Sequence, residues 1–119
     1  MFDDIDEACL QWLAPLGWPV VTEVPADRPP VFVRVMRTGN RRLSVAHRRI
    51  QFTIECWNEA GEAAAERMAD QVEARLCQWP AVPSGAQGWL SGPYPQRDPD
   101  TGCPRYVMTC YAVQRVVVA

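Results

Sequence analysis

Lysine is absent from this chain: all twelve basic residues are arginine. Against fourteen acidic residues they leave a formal net charge of -2. That balance excludes a domain that coats nucleic acid by bulk charge, because such domains are strongly basic, so any nucleic-acid contact has to be local. Histidine occurs once, at His47, and the five cysteines (Cys9, Cys56, Cys77, Cys103, Cys110) are widely spaced with no Cys-x-x-Cys pair. A structural zinc site therefore lacks both its ligand count and its spacing, and nothing in the sequence brings a thiol to the imidazole as a nucleophile pair would require. No glycine-rich phosphate loop is present. Asp98 and Asp100 form a carboxylate pair, but they sit in Arg97-Asp98-Pro99-Asp100-Thr101-Gly102, where turn chemistry explains them better than acid–base work. No catalytic residue, metal or cofactor is expected, and the chain is not read as an enzyme.

Long apolar runs are missing too. No stretch approaches the roughly 20 residues that span a bilayer, so no membrane partner is expected. The start, Met1-Phe2-Asp3-Asp4-Ile5-Asp6-Glu7, is acidic and lacks the basic region and apolar core of a secretory signal. The expectation is a protein made and used in a cytoplasm, with reduced, mostly buried thiols.

What is there fits one domain, residues 1–119, with 48% apolar and 22% charged residues. A domain of this size buries only about two-thirds of the surface of its unfolded chain, so neighbouring subunits would add to its stability. Ile5, Cys9, Leu10, Trp12, Leu13 and Leu16 recur at helical spacing and predict a first helix over residues 3–16, with Asp3, Asp4, Asp6 and Glu7 at the positive end of its dipole. Pro15, Gly17 and Pro19 stop it, and Val20–Val24 reads as a short strand before a proline loop. Val31–Arg37 and His47–Trp57 alternate as strands and predict an antiparallel hairpin whose long tip spans residues 38–47, broken at Thr38-Gly39-Asn40. Asn58 is the expected N-cap of a second helix running to Trp79, whose alanines (Ala60, Ala63, Ala64, Ala65, Ala69) suit close packing on a sheet. A short strand near Gly88-Trp89-Leu90 and a long one over Arg105–Val118 complete an α+β fold: an antiparallel sheet of four to five strands covered on one face by two helices. The uncovered face asks for a partner, and a neighbouring subunit is the obvious one. Trp12 and Trp57 read as core; Trp18, Trp79 and Trp89 flank loops, where core remains the simpler reading and an interface anchor the other.

The strongest local bias is basic. Arg34, Arg37, Arg41, Arg42, Arg48 and Arg49 fall within sixteen positions that contain no acidic residue. Three readings stand: a solvated hairpin tip, a subunit interface using the planar arginine fork, or a local contact with passing DNA. The acidic face of the second helix, Glu59, Glu62, Glu66, Asp70 and Glu73, is the candidate opposite number on an adjacent copy, and a head-to-tail contact of that kind closes into a ring. The expected contact residues are thus Arg37, Arg41, Arg42, Arg48, Arg49, Glu59, Glu62 and Glu66.

Several segments together carry a resemblance: the acidic amphipathic start, Val31-Phe32-Val33-Arg34-Val35, the basic Gly39 turn, and Ile50-Gln51-Phe52-Thr53-Ile54-Glu55-Cys56-Trp57 leading into Ala63-Ala64-Ala65-Glu66-Arg67-Met68-Ala69. Gly92-Pro93, Asp98-Pro99 and Pro104-Arg105-Tyr106-Val107 extend it over nearly the whole chain. The pattern resembles the tail terminator (tail completion) proteins of long-tailed, siphovirus-type phages infecting actinobacteria. That resemblance implies a non-catalytic virion protein, assembled in the host cytoplasm. It implies a homohexameric ring that caps the tail tube, meets the major tail tube protein on one side and a head-side connector on the other, and lets genomic DNA pass through its lumen. A head-completion or stopper protein at the portal is the nearest alternative, and a small bacterial regulatory or binding module the alternative from another class.

Overall fold

The computed structural model describes residues 4–116, and its first element starts where a carboxylate can cap it. Asp4 stays extended, and its Oδ1 accepts the N–H groups of Asp6 and Glu7 at 3.0 and 3.2 Å, satisfying two of the donors a helix start leaves unpaired. Helix α1 (Ile5–Leu13) buries Ile5, Cys9 and Leu13, and Pro15 turns its end into a single tight turn over Ala14–Leu16. The predicted positions Asp3, Val117 and Val118 lie outside the described residues.

Five strands follow, β1 (Val20–Val21), β2 (Val31–Arg42), β3 (His47–Asn58), β4 (Trp89–Pro95) and β5 (Arg105–Arg115), with α2 (Glu62–Cys77) between β3 and β4. They form one sheet in the order β1-β2-β3-β5-β4. The α+β class and the strand number are as expected, but the sheet is mixed: β1 runs parallel to β2, with Val20 opposite Val33, because the proline loop carries the chain back to start β2 in the same direction. The other neighbours are antiparallel.

Beyond β1 shortening to Val20–Val21, α2 ending at Cys77 and β5 at Arg115, three differences from the sequence expectation have a local reason. Thr38-Gly39-Asn40 does not end β2; a bulge between Arg37 and Gly39 absorbs the extra residue, pairing continues to Arg42, and the tip shrinks to residues 43–46. Asn58 does not cap α2. It closes β3, its Oδ1 accepts the N–H of Ala60 at 3.0 Å in a local turn, and the helix starts beyond Gly61. Finally, β4 passes through Pro93 to Pro95, which an edge strand tolerates because its outer side needs no ladder donor. The predicted turn at Asp98 is present: its carboxylate accepts the N–H and hydroxyl of Thr101, and the hydroxyl bond chiefly holds the carboxyl below its usual range.

Helix α2 lays Ala65, Met68, Ala69, Val72 and Leu76 on the sheet, against Ile50, Phe52, Ile54 and Cys56 of β3 and Met108, Cys110 and Ala112 of β5. Of the five alanines expected to pack on the sheet, only Ala65 and Ala69 are buried; Ala63 is exposed, Ala64 half-buried, and Ala60 precedes the helix and is exposed. Helix α1 is clasped to α2 by a reciprocal pair: Trp12 Nε1 donates to the Arg75 carbonyl at 2.6 Å, and Arg75 Nε donates to the Trp12 carbonyl at 2.8 Å. The Arg75 guanidinium also lies 4.0 Å from the Trp12 ring centroid. Trp18, Trp79 and Trp89 all pack on this core, and Trp57 is buried in a second cluster with Phe32 and Cys103. Phe52, fully buried at the centre with Trp79 tilted against it at 6.3 Å, is the most sensitive point. Phe52→Ala should cost about 3–5 kcal/mol in chemical denaturation, and a loss below about 1 kcal/mol would mean that the core closes over the gap.

Candidate functional site

Side chains alternate along each strand, so β2, β3 and β5 offer one set to the helices and the other to the uncovered face. The register stacks the open-face residues into rungs across β2, β3 and β5. From base to tip these are Phe32–Trp57–Arg105, Arg34–Glu55–Val107, Met36–Thr53–Thr109, Gly39–Gln51–Tyr111 and Arg41–Arg49–Val113.

At the base, Phe32 stacks on Trp57 with centroids 5.1 Å apart, and the guanidiniums of Arg105 and Arg28 lie 5.0 and 5.5 Å from the Trp57 ring. Glu55, 6% exposed, is held from three directions: Arg105 at 3.2 Å, Arg34 at 3.5 Å and the Trp57 indole N–H at 3.1 Å. The middle rungs are bridged by hydroxyls, Thr38 to Thr53 at 3.0 Å and Thr53 to Thr109 at 3.5 Å, while the Gln51 amide donates to Thr38 at 3.0 Å. Among the described residues no buried side-chain nitrogen or oxygen lacks a partner. The open face is therefore a polar surface that satisfies itself laterally, and the pressure to cover it is weaker than its lack of helices suggests.

The strand period divides the six arginines of the basic run. Arg34 is consumed by Glu55. Arg37 points to the helix side and pairs with Asp6 of α1 at 3.0 Å. Arg42 and Arg48 are cross-strand partners on that same side, where Arg42 donates to the Ser44 and Val45 carbonyls and Arg48 Nε donates to Gln114 at 2.8 Å. Arg41 and Arg49 face the open side together, directly opposite each other, with Arg49 lying 4.0 Å over the Tyr111 ring. Neither Arg41 nor Arg49 forms an ion pair among the described residues. They line a cleft of about 220 Å³ with Gly39, Asn40, Gln51 and Tyr111.

The acidic set lies at the far end, because α2 leaves β3 at the end opposite the tip; twelve strand residues at about 3.3 Å separate the two by roughly 35 Å. There Glu59 pairs with Arg28 at 3.4 Å, Glu62 with Arg97 at 3.9 Å, and Glu66 accepts from the Tyr106 hydroxyl at 3.2 Å. Within one copy the basic and acidic sets do not meet. Sequence reading missed the Glu55 network, whose signal, Arg34 facing Glu55, exists only once the hairpin register is known. It identified the tip but not its exposed apolar residues, Leu43 and Val45, which are 48% and 82% exposed.

His47 is exposed beside that tip, and among the described residues no three His, Cys, Asp or Glu side chains group as a metal site. Cys9, Cys56, Cys103 and Cys110 are buried, and burial pushes the thiols of Cys56 and Cys110 up to about 12. Cys77 is exposed beside a cavity of about 360 Å³ at the end of α2; its thiol is also raised, by desolvation and then by Glu73. No protein-family model matches the chain, and no curated protein matches it in sequence.

Two outcomes follow from these environments. Glu55→Gln leaves two guanidiniums facing each other without their carboxylate, and should cost about 3 kcal/mol in denaturant unfolding; a change within about 0.5 kcal/mol would mean that the network is dispensable. Alkylation of the native protein at pH 8 should label Cys77 alone, more slowly than an unhindered thiol, with all five cysteines labelled after unfolding. Because the buried thiols titrate higher in the folded chain than in the unfolded one, the stability they confer is intact below about pH 9 and falls as pH rises toward 12.

Proposed function

We propose that the chain is a structural, non-catalytic virion protein, a tail terminator of a long-tailed phage, whose copies join head to tail into a ring of about six that caps the tail tube and faces the head-side connector. The observation that carries this reading is the separation of charge along the molecule's 46 Å axis, with the arginine arm at one end and the acidic start of α2 at the other. Two unlike, complementary ends favour a heterologous contact, and heterologous contacts close into rings when the rotation permits. The arm suits such a contact: every residue from 37 to 48 is exposed or half-buried, and apolar Leu43 and Val45 project at its tip. The ion pairs at the acidic end do not block it. Arg97–Glu62 joins side chains that are 59% and 52% exposed, and exchange of such a surface pair for a neighbour's arginine costs little.

The resemblance of the sequence to tail terminators supplies the setting, with the major tail tube protein, the head-side connector and the DNA in the lumen as partners. The test is the composition of purified virion necks. The chain should be present there as a closed ring of about six copies between tube and connector, and necks lacking it would remove the assignment. Arg41→Glu combined with Arg42→Glu should leave the thermal midpoint within about 3 °C of the parent, because both residues are exposed, yet reduce the yield of intact virions at least about tenfold. Unchanged yield would take the arm out of the assembly.

A further inference from the structure

The cleft between Arg41 and Arg49 lies on the open face of the paired strands. Like charges directly opposite on adjacent antiparallel strands destabilise the pair, and among the described residues no carboxylate forms an ion pair with either arginine to offset that cost. Arg49 is nonetheless held in place, its guanidinium carbon 4.0 Å from the Tyr111 ring centroid, and a guanidinium over a ring face can still donate from its edges. Gly39 sets the opening. A Cβ there would stand 3.1 Å from Gln51 Cβ and narrow the cleft, and a glycine inside a strand commonly marks a close approach by another group. The result is two planar donors, an amide and a phenol around about 220 Å³, room for one tetrahedral oxyanion.

We propose that this cleft binds a phosphodiester of a nucleic-acid backbone, which gives the reading above a defined point of contact with DNA and rests on that reading for its choice of phosphate source. A phosphodiester suits the cleft because Arg41 and Arg49 form no ion pair among the described residues and a tetrahedral oxyanion can accept from both forks at once; a neighbour's carboxylate is the competing occupant that the test separates. Arg115 lies at the same end of the sheet, and Arg42 and Arg48 add positive charge there from its other face, while the net charge of -2 gives the chain no bulk attraction for nucleic acid.

The test is fluorescence anisotropy of the full chain with a labelled DNA duplex of about 20 base pairs, over a series of salt concentrations, with inorganic phosphate as competitor. Arg41→Ala and Arg49→Ala should each weaken binding about tenfold and lower the salt slope by about 1, while Arg67→Ala, the same change of charge on exposed α2, should do neither. Gly39→Ala, which alters no charge, should also weaken binding. Its folding is checked by thermal unfolding, and Arg41→Ala, at an exposed position, keeps the test valid if the glycine variant fails to fold. Equal weakening by Arg67→Ala would reduce the effect to bulk charge and overturn the proposal, as would a parent chain that binds inorganic phosphate but not DNA. Cleft variants that change self-association in native mass spectra but not DNA affinity would assign the cleft to a neighbour's carboxylate instead. The two readings fail separately: absence from virion necks leaves DNA affinity measurable in solution, and a cleft without DNA affinity leaves the neck composition unaffected.

Discussion

The period-two alternation of β3 is the constraint on which the remaining structure depends. This strand is paired along both edges, to β2 and to β5, and carries Ile50, Phe52, Ile54 and Cys56 on one side and Arg49, Gln51, Thr53, Glu55 and Trp57 on the other. A slip of one residue would send Glu55 and Gln51 into the layer beneath α2 and bring Phe52 and Ile54 out to the polar face, so register and layer assignment are fixed by the same set of contacts. The bulge at Arg37–Gly39 follows from that constraint. It shifts β2 by one residue, placing Arg41 opposite Arg49 on the open face and Arg42 opposite Arg48 on the other.

Much of this was legible because alternation and helical spacing are local. The His47–Trp57 strand, the amphipathic first helix and the apolar face of the second are set by residues near one another in sequence. The bulge was not legible, because Thr38-Gly39-Asn40 has the composition of a turn, and only pairing with β3 on one edge holds it extended. Asn58 is an equally good helix cap and turn former in isolation; β3 pairing through to Asn58, where its N–H reaches the Pro104 carbonyl at 3.1 Å, settles which it becomes. The candidate site was legible in composition and not in arrangement. Six clustered arginines could be counted, but their division into three on the helix side and three on the open face, one of the latter tied to Glu55, needs the register.

The open face bears on how the chain can associate. An uncovered sheet normally invites burial by the hydrophobic effect, yet here threonine and glutamine bond to one another across the middle rungs, Phe32 and Trp57 at the base are buried, and the most exposed large apolar side chains among the described residues are Leu43 and Val45 at the tip. Association through this surface must draw on charge and hydrogen bonding, with Leu43 and Val45 as a small apolar anchor. It is accordingly sensitive to ionic strength, since exposed charges more than about 10 Å apart are screened at about 0.1 M salt.

Glu55 and the Arg41–Arg49 rung are the two ends of one design of charge. At the base, two arginines and an indole N–H converge on a buried carboxylate, so positive charge there is neutralised and the face is locked. At the tip, two arginines face each other over an open cleft with no carboxylate between them. The difference lies on β3: the central residue of the rung is Glu55 at the base and Arg49 at the tip, each with an arginine on its β2 side and a valine, Val107 or Val113, on its β5 side. Supplying an acid at the tip would have been locally stabilising, by a few tenths of a kcal/mol to about 1 kcal/mol for a cross-strand pair. An acid there would also occupy the cleft in which the proposed phosphodiester contact is made, so the two rungs differ in what their arginines are left to bind.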